Sequence, residues 1–221
     1  MANELDKILI DVRSSYRLLS EYQSRVLNVV RYIKGQSNYS NIWGRKWFSS
    51  SINTKRYSPD KEYANLNVST DMWSWDFFYG YMFEYYMGTL SDENRIEFSV
   101  MQVADDGYFK NSGADQVKTN TFAEAKDSNT LLLMMAGRNT ERNMWMRPQG
   151  KEDYEQFINS FLASSEDVVK CSDENGDFFL IKKYDIGQFA NQEGADNAIS
   201  DFAEMLKPLS ETKIFKERFY K

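Results

Sequence analysis

The stretch that decides the fold is WSWDFFYGYMFEYYMG, residues 73–88. Every odd-numbered position from Trp73 to Met87 carries a large apolar or aromatic side chain, whereas the even positions include Asp76 and Glu84. Successive side chains of a β-strand point to opposite faces, so this strict alternation predicts a long strand with one buried face. We expect the aromatic face to be core and the carboxylates on the other face to point to solvent. The alternative is that they are buried, in which case they could be perturbed and functional.

The neighbouring segments continue the same kind of pattern. Apolar alternation or short apolar runs predict strands at 96–100, 131–135, 168–171 and 178–184, the last two joined by a hairpin turn at Asn175-Gly176. Apolar residues at helical spacing predict helices over 151–163 and 195–206. Residues 35–71 are polar, and we expect irregular structure there with one short strand at 66–68. Strands and helices that are segregated along the chain favour the α+β class, with a mainly antiparallel sheet and helices on one face.

The N-terminal segment predicts one long amphipathic helix. Its apolar residues recur at spacings of three, four or seven: Leu5, Ile8, Val12, Tyr16, Leu19, Val26, Val29 and Ile33. A helix over 4–34 has about 31 residues and would span about 46 Å, which is long for one compact domain. Two interpretations follow: a helix laid across the sheet or broken near Ser20, or a projecting or dimerising helix. We favour the first, because the flanking charges follow no regular coiled-coil pattern.

The domain organisation that these elements predict is a single α+β domain, 1–221. It comprises the N-terminal helix at 1–35, a sheet-rich part at 36–150 and a helix-hairpin-helix part at 151–221.

The composition excludes much catalytic chemistry. The chain has no histidine and one cysteine, Cys171, so His-based triads, His-ligated zinc and intrachain disulfides are ruled out. Its net charge of −6 argues against general nucleic-acid binding. It contains no glycine-rich phosphate loop and no run of about 20 apolar residues. Its first residues lack the basic and apolar regions of a secretory signal, so we expect none. We therefore expect a soluble cytoplasmic protein with no cofactor and no membrane contact.

Two clusters combine aromatic rings with cations. Trp43, Arg45, Lys46 and Trp47 form the first, and Arg138, Arg142 and Arg147 around Trp145 form the second. Such residues are typical of protein interfaces, where Trp and Arg dominate the binding energy. The same combination also serves single-stranded nucleic acids through stacking and phosphate contacts, and the tryptophans could equally be core.

One spacing is compatible with metal-dependent hydrolysis. Glu124-Ala125-Lys126, with Asp106 or Asp115 upstream, matches the carboxylate and lysine order of PD-(D/E)xK nucleases, in which carboxylates hold Mg²⁺. The spacing recurs at Glu211-Thr212-Lys213, the frequency expected by chance.

By elimination, the sequence favours a non-catalytic interaction protein. We expect a regulator, inhibitor or assembly component that binds another protein or protein complex through the aromatic and Arg-rich surface. Two alternatives stay open: a Mg²⁺-dependent hydrolase that uses Asp, Glu and Lys, and a binder of single-stranded nucleic acid or a small ligand.

Overall fold

The computed structural model describes residues 2–47, 66–67, 82–90, 95–111, 113–114, 118–138 and 154–220. Within these ranges the helices are α1 (Ala2–Gln36), α2 (Gly107–Lys110), α3 (Tyr154–Ala163) and α4 (Gln192–Leu206). The strands are β1 (Trp43–Trp47), β2 (Leu66–Asn67), β3 (Met82–Leu90), β4 (Ile96–Val103), β5 (Leu131–Arg138), β6 (Val168–Ser172) and β7 (Phe178–Asp185).

The described strands form one antiparallel sheet in the order β2-β1-β3-β4-β5-β7-β6. The deciding stretch supplies β3, while Trp73 to Tyr81 lie outside the described residues. The odd residues Phe83, Tyr85 and Met87 share one hydrophobic cluster as expected, but the even residues are buried too, so the expectation of a single buried face is wrong. A bulge interrupts the pairing of β3 with β4 at Gly88, where a φ of 96° requires glycine. β1 lies in the segment expected to be irregular; pairing with β3 gives its polar sequence the backbone hydrogen bonds of a strand.

Both faces of the sheet are buried. In β5, Leu132, Met134 and Ala136 belong to one hydrophobic cluster, whereas Leu131, Leu133 and Met135 belong to another. The first cluster is completed by the second half of α1, by α4 and by the C-terminal tail, and the second by α3. The α+β class with an antiparallel sheet is thus confirmed. The helices, however, cover both faces instead of one, because β5 is apolar on both sides and each side needs cover.

Glu84 differs from the sequence-based expectation. Its side chain is 0 % exposed, so the solvent-facing position expected for it is wrong. The reason is its place in the sheet: β3 is an interior strand, and Glu84 stands opposite Arg45 of β1 on one side and Met101 of β4 on the other. Asp76, the other carboxylate of that pattern, lies outside the described residues.

Helix α1 is continuous from Ala2 to Gln36 and passes through two environments. In its second half, Gln23, Val26, Val30 and Ile33 are 0–6 % exposed against the sheet. In its first half, residues 4–19 are exposed. For residues 2 and 3 only the backbone is described. The helix therefore lies on the sheet in its second half and is exposed in its first half, without the break considered near Ser20. Its dimerisation stays a prediction.

The C-terminal tail holds the end of α1 in place. Ser37 forms a β-bridge with Phe215, and the backbone N–H of Asn38 donates to the carbonyl of Ile214 at 2.8 Å. The backbone N–H of Lys216 in turn donates to the carbonyl of Gln36 at 2.9 Å. No described helix is long and apolar enough to cross a membrane.

Candidate interaction surface

The exposed half of α1 carries an apolar stripe. We call Leu5, Leu9, Val12, Tyr16 and Leu19 the α1 stripe; each is 41–57 % exposed. Three further apolar side chains of this half are also exposed, at Ile8, Ile10 and Leu18. Of the nine large hydrophobic side chains exposed among the described residues, eight therefore lie between positions 5 and 19. Apolar residues scattered singly over a surface are ordinary, but a concentration of this kind makes this half-helix a candidate binding surface.

Charges of both signs surround the stripe. Residues 4–21 contain four acidic and three basic side chains, at Glu4, Asp6, Asp11, Glu21, Lys7, Arg13 and Arg17. Membrane-surface helices are typically rich in Lys and Arg on their polar face. The near-balance of charge on this half-helix differs from that composition.

A ring of buried hydrogen bonds fixes the point where α1 leaves the sheet. The Gln23 Nε2 donates to the Tyr85 hydroxyl at 3.1 Å, and that hydroxyl donates to Gln102 Oε1 at 3.0 Å. The Gln102 Nε2 donates to Gln23 Oε1 at 3.2 Å and to the Tyr22 hydroxyl at 3.1 Å. Two residues of α1 are thereby tied to β3 and β4, so the helix has a defined rotation about its axis at this point.

The two tyrosines of this ring stay protonated at neutral pH. Burial raises the pKa of Tyr22 to about 12, although the hydrogen bond from Gln102 acts in the opposite direction. Burial likewise raises the pKa of Tyr85, against a smaller lowering by the hydrogen bond from Gln23. Because both hydroxyls remain neutral, the ring keeps the same donors and acceptors throughout the physiological range.

A second polar contact joins α1 to α4. The Tyr32 hydroxyl donates to Asp196 Oδ1 at 2.5 Å, and an Arg218 guanidinium nitrogen lies 3.2 Å from the same oxygen. Arg218 also donates to Gln36 Oε1 at 3.0 Å. The buried half of α1 is therefore held at both of its ends, which gives the exposed half a rigid base.

The aromatic and cationic residues singled out from the sequence are only partly within the described structure. Trp43, Arg45, Lys46 and Trp47 belong to β1, whose backbone is described without its side chains. Arg138 is the half-buried last residue of β5, while Arg142, Trp145 and Arg147 lie outside the described residues. β1 and β5 are separated by two strands, so their axes are about 14 Å apart at about 4.8 Å per strand. The sheet therefore does not bring Arg138 next to the first cluster.

The residues proposed for a metal-dependent hydrolase differ from one another in burial and contacts. Asp106 is 3 % exposed, and its carboxylate accepts hydrogen bonds from the Asn129 backbone N–H at 2.6 Å and the Asn129 Nδ2 at 3.2 Å. Lys110 Nζ lies 3.0 Å from the same carboxylate. These bonds join the end of β4 to the start of β5. Glu124 and Lys126 are exposed and lie at a single 3-10 turn instead of in a strand.

Asp115, the remaining member of that set, lies outside the described residues. Within the described ranges, no group of three or more His, Cys, Asp or Glu side chains is arranged to hold a metal ion. Cys171 lies partly exposed on the edge strand β6.

The sequence analysis missed the ring of hydrogen bonds. One signal was available: Gln23 is the polar member of a series that runs 5, 9, 12, 16, 19, 23, 26, 30 and 33 with apolar residues elsewhere. A single polar residue in such a series often specifies a register or a partner. Its partners Tyr85 and Gln102 lie on strands distant in sequence and could not be paired with it by pattern.

The fold and this surface define an α+β protein whose sheet carries a helix that projects with an exposed apolar stripe. The chain belongs to the PM0109 family, whose model matches residues 2–210. It is similar to an uncharacterized protein, PM0109, of Pasteurella multocida (strain Pm70), with 50 % identity over 36 residues. That match spans 16 % of this chain and 18 % of the relative, so the chain covers less than a fifth of that protein. No solved structure matches the chain.

Proposed function

We propose that this protein is a non-catalytic interaction protein that binds a protein partner through the α1 stripe. The observation that carries the proposal is the concentration of exposed apolar side chains on one half of one helix. Leaving five large side chains about half exposed on a rigid helix is unfavourable in water, and burial against a partner removes that cost.

The spacing of the stripe supports a helical or grooved partner. Its members follow each other at four, three, four and three residues, which is the spacing by which helices insert into apolar grooves or pair with other helices. The rigid base of α1 supports the same proposal, because a binding element that is already ordered loses less entropy on association.

The aromatic and Arg-rich residues around Trp47 and Trp145 remain part of this proposal as a second contact region. The Mg²⁺-dependent hydrolase and the single-stranded nucleic-acid or small-ligand binder remain the alternatives. We place the hydrolase after the interaction protein because the described contacts of Asp106 are to Asn129 and Lys110, its neighbours in the fold. We place the nucleic-acid binder after it because the net charge of −6 is unfavourable for phosphate binding.

Site-specific photo-crosslinking tests the proposal. A photo-reactive phenylalanine analogue replaces Tyr16 on the stripe, and in a matched variant it replaces Ser14, which is exposed on the opposite side of the same half-helix. We expect covalent products from position 16 at native expression levels and none from position 14. The partner is identified by mass spectrometry, and its binding is confirmed by titration with purified protein. Absence of any product from position 16, or equal products from both positions, would overturn the proposal.

A further inference from the structure

We propose that the occupant of the α1 stripe is a second copy of this chain, bound with the two α1 helices antiparallel. This inference rests on the proposed function and specifies its partner. Three observations support it: the stripe continues the packed side of α1, the sheet occupies that side from Gln23 onward, and charged residues flank the stripe.

The stripe is the exposed continuation of a seam that is already packed. At alternating spacings of three and four it continues into Gln23, Val26, Val30 and Ile33, all of them buried against the sheet. The complete series spans four heptads of the a/d pattern that makes helices pair side by side. The same side of α1 thus meets the sheet in its second half, and in its first half it presents an equivalent surface to another helix.

The position of the sheet selects the antiparallel orientation. From Gln23 onward, the sheet occupies the side of α1 on which the stripe lies. A partner helix running parallel would carry its own second half into that occupied space. An antiparallel partner instead passes beyond residue 2 of the first copy, so the two sheets stand at opposite ends of the paired helices. The paired segment, residues 4–19, is about 24 Å long.

The charges beside the stripe select the register. If Leu9 of each copy packs against Val12 of the other, Leu5 packs against Tyr16, and the flanking Asp6 lies beside Arg13 of the second copy. Two-fold symmetry makes this ion pair twice. A shift by one heptad in either direction sets Asp6 against Asp6 or Arg13 against Arg13, and like charges at these flanking positions disfavour pairing.

Sedimentation analysis of the purified full chain tests the association. Over about 1 to 200 µM, we expect a reversible dimer of about 52 kDa, twice the 25.9 kDa of the chain. Leu9→Glu removes an apolar contact twice per dimer and should weaken association at least about 100-fold. Leu18→Glu is the matched control: Leu18 is 68 % exposed on the same half-helix, but lies off the stripe, and should change association less than about threefold.

Folding does not confound this comparison, since both leucines are exposed in the single chain, and circular dichroism verifies that each variant remains folded. A dimer that persists in Leu9→Glu, or that dissociates equally in both variants, would overturn pairing through the stripe.

A charge exchange tests the orientation. Arg13→Glu should weaken the dimer by roughly tenfold, because it places two acidic pairs where two ion pairs stood. Adding Asp6→Arg restores opposite charges and should recover most of the lost affinity. Failure of this recovery would overturn the antiparallel register, even if the dimer itself exists.

Different experimental results would overturn this inference and the proposed function. A chain that stays monomeric up to about 200 µM overturns the second copy as partner. If position 16 nevertheless crosslinks to another identified protein, the proposed function stands. Monomeric protein without any crosslink from position 16 would overturn both.

Discussion

Replacing Tyr85 with phenylalanine should destabilise the fold through hydrogen bonding alone. The substitution removes one hydroxyl from the buried ring and leaves the aromatic packing of Tyr85 with Phe83, at a ring separation of 4.8 Å, in place. It deprives the Gln23 Nε2 of its acceptor at 3.1 Å and the Gln102 Oε1 of its donor at 3.0 Å. Both glutamines are nearly inaccessible, at 6 % and 2 % exposure, so water does not replace the lost bonds.

The magnitude follows from the two buried amide groups. Leaving a buried donor or acceptor without a partner costs about 1–3 kcal/mol, and both glutamines keep their other bond to each other. We therefore expect Tyr85→Phe to lower the free energy of unfolding by about 2–4 kcal/mol. For a chain of this size, about 2–4 °C in melting temperature per kcal/mol gives a fall of roughly 4–16 °C.

The assay is urea unfolding followed by circular dichroism, together with calorimetry. Tyr16→Phe is the matched control: it removes the same hydroxyl on the exposed half of α1, where the side chain is 43 % exposed and water replaces any bond that is lost. It should stay within about 0.5 kcal/mol of the parent. In a double-mutant cycle with Gln102→Leu, the two changes should be coupled by about 0.5–3 kcal/mol, since they disrupt one network. A Tyr85→Phe protein as stable as the Tyr16→Phe protein would refute the structural role of the ring.

Three further predictions concern pH, the β4–β5 connection and metal ions. Burial raises the pKa of Tyr22 to about 12, above an unfolded value near 10, so its contribution to stability is complete below pH 10 and is lost as pH rises through 12. Tyr22→Phe should therefore flatten the fall of the unfolding free energy at alkaline pH. An unchanged pH profile would contradict the raised pKa of Tyr22. Asp106→Ala should cost about 1–3 kcal/mol in urea unfolding because the Asn129 backbone N–H loses its acceptor at 2.6 Å, whereas water replaces the acceptor of the exposed Asn129 side-chain amide. Glu124→Ala, at an exposed position, should cost less than about 0.5 kcal/mol, and equal effects would contradict this structural role of Asp106. Millimolar Mg²⁺, Mn²⁺ or Ca²⁺ should leave the melting temperature unchanged. A bound ion at about 100 times its Kd would instead stabilise the fold by about 2.7 kcal/mol and raise the melting temperature. A saturable shift of this kind that Asp106→Ala abolishes would favour the hydrolase alternative.

Local periodicity was sufficient for most of the described helices and strands. The predicted helix over 4–34 is α1, the predicted hairpin is β6 and β7, and the predicted strand over 131–135 lies within β5. These patterns are readable because the repeat of a helix or strand depends on neighbours close in sequence. β1 was missed, because the short segment Trp43–Trp47 lies in a polar stretch and becomes a strand only through pairing with β3.

The candidate interaction surface was likewise only partly predictable from the sequence. The stripe itself, from Leu5 to Leu19, is a property of the sequence, since its spacing places the side chains on one side of α1. The aromatic and cationic clusters were also identified by composition, and their role in binding stays a prediction. Which half of α1 would be covered could not be obtained from the pattern, because Val12 and Val26 are equivalent members of one series.

The sequence by itself determined the α+β class, most element boundaries and the amphipathic character of α1. Only the tertiary structure decided that the sheet is covered on both faces, that Glu84 is buried, and that α1 leaves the sheet at Gln23. The physical reason is that burial and hydrogen bonding of a side chain depend on residues far away in the chain. The Gln23–Tyr85–Gln102 ring joins positions 62 and 79 residues apart, a distance over which no local repeat carries information.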